Sequence, residues 1–358
     1  MNIVKRCTRC VIPESAPNVS FDEKGICSYC ASYKTPVLLG EEKLRALLDA
    51  HRKPGKKYDC AIGISGGRDS SFTLLKLVKD YQMKVLALNY DNPFVDPQAV
   101  ENIDNMADIL KVDVIRYTLK NKIHERTFRS NLLAWLKKPS AGMIPMLCIA
   151  CKNYIPPMIR YSKKHDIQCV VMGGTTFENV SFKRELINVS RDADYKDTYL
   201  SGLYGMVKET LKNPSYYSPH CIPIMVKGYF YGDQYALGPR LFAPDIAFYH
   251  LFDYIPWQET DILSRIRGEI AWKHPEKFVS TWRFDCKICH LKKLLYLKTI
   301  GMGENEDFYS KMIRDGVITR DEIMERLSRE NVIQYDQIED VLNQVDLKMS
   351  ILKPILDL

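Results

Sequence analysis

Cys60-Ala-Ile-Gly-Ile64, Ser65-Gly-Gly-Arg-Asp-Ser-Ser71 and Phe72-Thr-Leu-Leu-Lys-Leu-Val78, read as one stretch, decide the fold of this 358-residue chain. The first segment is a short apolar run of the kind that becomes a strand buried on both faces. The last repeats its apolar residues on a helical period, and Ser70 and Ser71 are hydroxyl residues suited to a helix start. Between them, Gly66 and Gly67 let the backbone approach a ligand closely, and a helix N-terminus offers unpaired N–H groups to an anion. The stretch predicts a strand, a phosphate cradle over Ser65, Gly66, Gly67, Arg68, Asp69, Ser70 and Ser71, and a helix. It is not a GxxxxGK[ST] loop, because no such string occurs in the chain.

Outward from this stretch, short apolar segments alternate with helical ones. Strands are predicted at 59–64, 85–90, 112–117 and 168–172, and helices at 41–52, 70–81, 97–110 and 151–165. That alternation predicts an α/β fold with an open parallel sheet. In such a sheet ligands bind beyond the carboxyl ends of the strands, which places Asp91 and the run Gly173-Gly174-Thr175 at the binding edge. Residues 186–250 are rich in Tyr, Pro and Gly and read as loops and short helices over that edge. Amphipathic helices are predicted at 304–330 and 334–350, for packing or dimerisation. The expected organisation is a metal-held module at 1–35, the nucleotide-binding domain at 36–300 and a helical region at 301–358.

Charge and composition narrow the class. Residues 304–358 carry 13 acidic and 7 basic side chains, while the whole chain is +7, so the body is basic and suits an anionic substrate. No apolar run reaches membrane-spanning length, and the N-terminus lacks an apolar signal core. A cytoplasmic location is expected. Eleven cysteines without an export signal then argue for metal or redox chemistry over a disulfide framework.

Cys7-Thr-Arg-Cys10 and Cys27-Ser-Tyr-Cys30 form CxxC-x16-CxxC, a spacing that suits a closed, structural tetrathiolate Zn²⁺ site. A second set, Cys148-Ile-Ala-Cys151 and Cys286-Lys-Ile-Cys289, has 134 residues between its pairs. Three readings stand for it: a second Zn²⁺ site, a 4Fe–4S cluster on Cys148, Cys151 and Cys286 with one open iron, or redox and persulfide-carrying thiols. All three predict that these cysteines converge beside the nucleotide loop, with Arg283-Phe-Asp-Cys286 folding back to reach it. Cys60 and Cys169 fall in predicted strands and read as core thiols, and His290, next to Cys289, reads as a substitute ligand.

Ser65-Gly-Gly-Arg-Asp-Ser70 resembles the PP-loop of N-type ATP pyrophosphatases, which have the adenine nucleotide α-hydrolase type of fold and cleave ATP between its α and β phosphates. Cys7-Thr-Arg-Cys-Val-Ile-Pro13 and Phe21-Asp-Glu-Lys-Gly-Ile-Cys-Ser-Tyr-Cys30 further resemble the opening of bacterial N-acetyl sugar amidotransferases. Ile255-Pro-Trp257, Arg283-Phe-Asp-Cys286 and the late run from Ser310 to Arg320 resemble that family too. The resemblance implies ATP and Mg²⁺ as cofactors, with Arg68 neutralising phosphate charge and Asp69 orienting the loop or the Mg²⁺ shell. It implies that a sugar N-acetyl group, on a nucleotide-linked sugar, becomes an acetamidino group during surface-polysaccharide (lipopolysaccharide) biosynthesis, with ammonia from a separate glutaminase. The Cys148–Cys151 unit departs from that family and resembles instead the tRNA 2-thiolation branch of PP-loop enzymes. There Cys148 and Cys151 would be catalytic, sulfur would replace oxygen, and tRNA would be a partner. A non-enzymatic alternative is an ATP-sensing scaffold for a glutaminase.

Overall fold

In the computed structural model, which describes residues 4–191 and 199–357, five strands form one wholly parallel sheet. They are β1 (Cys60–Ile64), β2 (Val85–Tyr90), β3 (Asp113–Tyr117), β4 (Cys169–Met172) and β5 (Ala247–His250), in the order β3-β2-β1-β4-β5. Ile62 of β1 pairs with Ala87 on one side and Val171 on the other, so the most apolar strands hold the centre. The first four strands lie where the sequence predicts them. β5 is a correction to the expected loop region: its four residues are all half-buried and sit at a sheet edge, so no alternation announces it.

In chain order the helices begin with α1 (Ser28–Ala31), α2 (Glu41–Ala50), α3 (Arg68–Leu75), α4 (Pro97–Leu110), α5 (Ile123–Lys137) and α6 (Ile155–Lys164). They continue with α7 (Ser181–Glu185), α8 (Tyr199–Leu211), α9 (Cys221–Phe230), α10 (Leu237–Phe242), α11 (Glu259–Ile270) and α12 (Ile288–Ile300). The last four are α13 (Glu304–Arg314), α14 (Arg320–Glu330), α15 (Tyr335–Asn343) and α16 (Lys353–Leu356). α4 starts as its sequence dictates, with the Asp96 side chain accepting from Gln98 N–H and Pro97 in the first turn. The single helix predicted over 304–330 is two, because Gly316 adopts φ +71° and Thr319 caps a new start.

β1 is the strand at which the sheet order turns, since the chain runs outward through β2 and β3 and then returns to β1's other edge with β4. The crevice beyond β1 and β4 is therefore the topological switch point. α3 and the Gly173-Gly174 turn both leave the sheet there.

The acidic C-terminal helices knit the molecule together. Val11 N–H donates to Ser310 Oγ at 3.3 Å, and Arg320 Nε donates to the carbonyls of Cys7 and Cys10, both at 3.1 Å. On the other face, Asp307 accepts from Ser181 N–H at 2.6 Å and Arg326 pairs with Glu259 at 2.7 Å. Val11 shares a buried core with β1, α3, Phe308 and Ile323, while Cys7 and Cys10 share a second core with α5, α12 and α15.

Candidate functional site

Gly66 makes the sharp turn out of β1. Its φ is +78°, and a Cβ there would lie 2.0 Å from the carbonyl oxygen of Ala99, so only glycine fits. The Gly66 carbonyl accepts from Asn102 Nδ2 at 3.1 Å and Trp272 Nε1 at 3.0 Å, which pins the loop from α4 and from the segment after α11. Gly67 is the N-cap of α3 and has no side chain to cap it. The N–H groups of Arg68, Asp69 and Ser70 therefore lack an intrahelical acceptor, and the first intrahelical bond is Ser71 N–H to the Gly67 carbonyl at 3.1 Å. Ser70 Oγ steadies the loop from within, accepting from Ser65 N–H at 3.3 Å and donating to the Gly67 carbonyl at 3.2 Å.

Gly173 packs directly on this start. A Cβ at Gly173 would lie 2.8 Å from the Asp69 carbonyl and 2.9 Å from Ser70 Cα. Thr175 N–H donates to Glu178 Oε2 at 3.3 Å, fixing the turn after Gly174. The turn after β4 thus packs on the first turn of α3 at the switch point.

Arg68 is a correction. Its side chain is 2% exposed and turned away from the loop. Nε and Nη2 grip Asp69 at 3.0 and 3.1 Å, Nη1 donates to Glu259 at 2.7 Å and to Thr281 at 2.8 Å, and the guanidinium lies 4.6 Å from the Trp257 ring centroid. Asp69 is also engaged, accepting from Trp257 Nε1 at 2.9 Å. Both residues are structural clamps on the helix start, because their polar atoms are spent on α11 and its neighbours. Burial pushes Glu259 up, but the Arg326 hydrogen bond and the charges of Arg68 and Arg326 hold it down to about 2.

The acidic group that does reach the loop is Asp285, which sequence reading missed. A Cβ at Gly67 would lie 3.3 Å from Asp285 Oδ2. Burial raises its pKa, opposed by the Ser65 hydrogen bond and by Arg283. The run Arg283–Cys286 folds back as expected: Cys286 bridges Val95, and Asp96 N–H donates to the Asp285 carbonyl at 3.1 Å.

A cavity of about 800 Å³, open to solvent, lies at the carboxyl edge of β1–β4 and is lined by Ser65, Asn92, Cys151, Tyr154, Asp285 and Cys286 among others. Asn92, and not its exposed neighbour Asp91, faces it; Asp91 is tied by its N–H to the Tyr117 carbonyl at 2.8 Å. Asn92 Nδ2 reaches Cys286 Sγ at 3.3 Å, and Cys151 Sγ lies 3.6 Å from His124 Nε2, whose other ring nitrogen meets Tyr90 Oη at 2.7 Å. Burial, then the neighbouring Cys148 and Cys286, push the Cys151 thiol up. Cys289 turns aside and donates to the Arg283 carbonyl at 2.9 Å. Among the described residues the second cysteine set does not gather its sulfurs within the 4.8 Å of one closed ion site. His290 is packed 4.9 Å from the Phe278 ring and joins no ligand cluster among the described residues. The cysteines of β1, β4 and α9 (Cys60, Cys169 and Cys221) are buried core thiols.

Cys7, Cys10, Cys27 and Cys30 are all buried, with their sulfurs within 4.8 Å of one another, and can hold a metal ion. Cys7–Cys30 and Cys10–Cys27 are 3.9 and 3.7 Å apart. A tetrahedron of sulfurs around an ion at about 2.3 Å has an edge of about 3.8 Å, so the residues fit such a centre. Cys10 N–H and Cys27 N–H point at Cys7 Sγ at 3.4 and 3.2 Å, and Arg314 adds a cation to the same sulfurs.

No family model matches the chain. An uncharacterized protein of Methanocaldococcus jannaschii is 26% identical over 114 residues, 31% of this chain; the match spans 41% of that relative's length. Solved structures similar in part include the U34-tRNA thiolase NcsA of Methanococcus maripaludis with its [4Fe-4S] cluster, at 12% identity and TM-score 0.34, covering 96% of this chain and 89% of that one. NMN synthetase from Francisella tularensis gives 12% identity and TM-score 0.39, over 83% and 93% of the two chains. NH3-dependent NAD synthetase from Campylobacter jejuni, in complex with nitrate, gives 14% and 0.30, over 54% and 94%. No helix among the described residues is long and apolar enough to cross a membrane.

Proposed function

We propose that the chain is an ATP-dependent enzyme that adenylates an amide oxygen on an N-acetylated nucleotide sugar and replaces that oxygen with nitrogen. One observation carries the nucleotide part: a helix start without a side-chain cap, reached through a glycine turn, follows directly on Ser65, which lines the cavity at the carboxyl edge of the sheet. The N–H groups of Arg68, Asp69 and Ser70, which open the helix, hold phosphate, while those of Ser65, Gly67 and Ser71 bond within the loop and helix, and Asp285 in place of Asp69 takes the Mg²⁺ shell. The amide oxygen bonds to the α-phosphorus as pyrophosphate leaves. Ammonia then adds to the activated carbon, gives up protons to water or a side chain while keeping an N–H, and expels AMP with the original oxygen. Zn²⁺ on Cys7, Cys10, Cys27 and Cys30 is structural and holds the N-terminal module against α13. A separate glutaminase supplies the ammonia. The sugar acceptor rests on the resemblance of the N-terminal cysteine block, not on the cavity.

A second reading has its own observation. Cys151 and Cys286 line the same cavity as Ser65, which suits delivery of sulfur, directly or from a cluster on Cys148, Cys151 and Cys286, to the activated carbon, with AMP leaving on the adenylated oxygen. Incubation with ATP, Mg²⁺ and a panel of nucleotide sugars decides between them. With ammonia the first reading yields AMP and a product one mass unit lighter, since NH replaces O. With sulfide the second yields a product about sixteen units heavier. Pyrophosphate release with neither nucleophile incorporated would leave the scaffold alternative without support and both transfer readings wrong.

A further inference from the structure

We propose that a second cavity, behind the Cys148–Cys151 turn, holds the acceptor by a phosphate group through Lys152 and Lys183; this rests on the adenylation reading above. The cavity encloses about 1200 Å³ including its mouth. One wall is the 3₁₀ segment from Ala141 to Tyr154, closed by Ile149 N–H to Met146 O and Lys152 N–H to Ile149 O, both 3.2 Å. With three residues per turn, positions three apart share a face. Met146, Ile149 and Lys152 accordingly face the second cavity, while Cys151 and Tyr154 face the nucleotide-side cavity. A single helical turn separates the two spaces.

Among the described residues the cations of this lining outnumber its carboxylates: Lys152, Lys183 and Arg184 stand against Glu178 and Asp233. Glu304 is buried and accepts three cations at once: Lys183, Arg283 at 2.5 Å and Lys292 at 3.2 Å. One carboxylate cannot neutralise three cations, and a buried surplus charge is costly unless an anion meets it. Lys183 opens onto the cavity, its side chain 23% exposed. Burial pulls it to about 7, against the attraction of Glu304 and with the help of Lys292 and Arg283. Glu178, a neighbouring carboxyl in the lining, is pushed up by burial, against the charge of Arg283. Lys152 lines the same space from the 3₁₀ wall, with the Asp233 carboxylate of that lining attracting its charge. A phosphate that meets both ammonium groups makes a charge-assisted hydrogen bond to each.

The inner end of the cavity points at the chemistry. Glu178 lines it and is bonded to Thr175 N–H, directly after the glycine pair that packs on Asp69 and Ser70. A phosphate at Lys152 and Lys183 leaves the rest of a small acceptor between Met146, Ile149 and Tyr229, directed toward that end. Enclosure by apolar walls favours a small molecule over a polynucleotide.

The test uses the full chain with Mg²⁺ and saturating α,β-methylene-ATP, which cannot be cleaved between its α and β phosphates. UDP and N-acetylglucosamine are then titrated separately by calorimetry. UDP is expected to bind on top of the analogue, and the free sugar to bind at least tenfold more weakly. Lys152→Ala, at an exposed position that tolerates truncation, and Lys183→Met should each weaken UDP at least tenfold and leave the analogue's affinity within about twofold. Gly67→Ala should do the reverse. UDP displaced by the analogue, or indifferent to both lysine variants, overturns the assignment. Failure of the analogue itself to bind sinks the adenylation reading instead, while the UDP titration still decides this site.

Discussion

Arg314 of α13 donates its Nε–H to the sulfur of Cys30 across 3.2 Å, and its Nη2 lies 3.5 Å from the sulfur of Cys10. The late acidic segment thereby supplies a cation to two of the four clustered thiol sulfurs. Four thiolates around a divalent ion keep two negative charges, and a buried guanidinium offsets half of them. Arg314→Leu is expected to cost about 1.5–3 kcal/mol, the range for a hydrogen bond to a charged group, and to speed zinc loss to a chelator. Cys7→Ser should lose the metal and melt lower still. Unchanged zinc content and melting in both variants would count against a metal-held module.

The Arg68 clamp predicts an acid-sensitive core. Glu259 is held to about 2 when folded, below its ordinary value near 4.3, so it stabilises the fold fully above that ordinary value. The contribution is lost as pH falls from about 4.3 toward 2, and it amounts to about 3 kcal/mol. Urea unfolding between pH 3 and 6 should show this slope, and Glu259→Gln should flatten it. Arg68→Ala removes a buried cation from two carboxylates and should cost about 3–5 kcal/mol at neutral pH.

Legibility followed range. β1, β2 and β4 were readable because each is a local apolar run, β3 (Asp113-Val-Ile-Arg-Tyr117) because its β-branched and aromatic residues follow a helix end, and the cradle because strand, glycines and helix start are contiguous. β5 was not, since Ala247–His250 carries no periodic signal and is ordered by pairing with β4. Arg68 was misread for a different reason. Its partners Glu259 and Thr281 lie 191 and 213 residues away, and adjacency to a glycine pair says nothing about where a side chain turns. The return of Arg283–Cys286 was legible from its cysteine, but the carboxylate beside it was passed over. Asp285 is marked only by the neighbours it meets in three dimensions.

Gly66 and Gly67 should fail differently. Gly66→Ala places a methyl 2.0 Å from a backbone oxygen at a positive φ, so the loop must move and stability should fall with nucleotide binding. Gly67 has φ −71°, which alanine adopts freely, and the new methyl would meet Ser65 Oγ at 3.2 Å and Asp285 Oδ2 at 3.3 Å. Gly67→Ala should melt within about 1 kcal/mol of the parent yet bind ATP at least tenfold more weakly. Thermal melts beside calorimetry separate the two effects; equal losses in both variants would argue that the loop does not cradle phosphate.

Asp285 should make nucleotide binding depend on a divalent cation. Its carboxyl borders Gly67, so phosphate entering the cradle meets a negative charge within a few ångströms. At that distance like charges cost several kcal/mol at the effective dielectric of a protein surface, about 4 kcal/mol at 4 Å. A Mg²⁺ ion between carboxylate and phosphate turns the repulsion into a bridge. The parent protein should therefore bind α,β-methylene-ATP on the order of tenfold tighter in Mg²⁺ than in EDTA, a difference of about 1.4 kcal/mol. Asp285→Asn keeps the shape and the Ser65 contact but removes the charge, so its affinities in the two buffers should converge, with binding in EDTA improved over the parent. Asp69→Asn serves as the contrast: its carboxylate is held by Arg68 and Trp257, and its loss should lower stability without erasing the Mg²⁺ dependence. If Asp285→Asn kept the full response to Mg²⁺ while Asp69→Asn lost it, the cation would belong to Asp69 and the clamp around Arg68 would have to open when nucleotide binds.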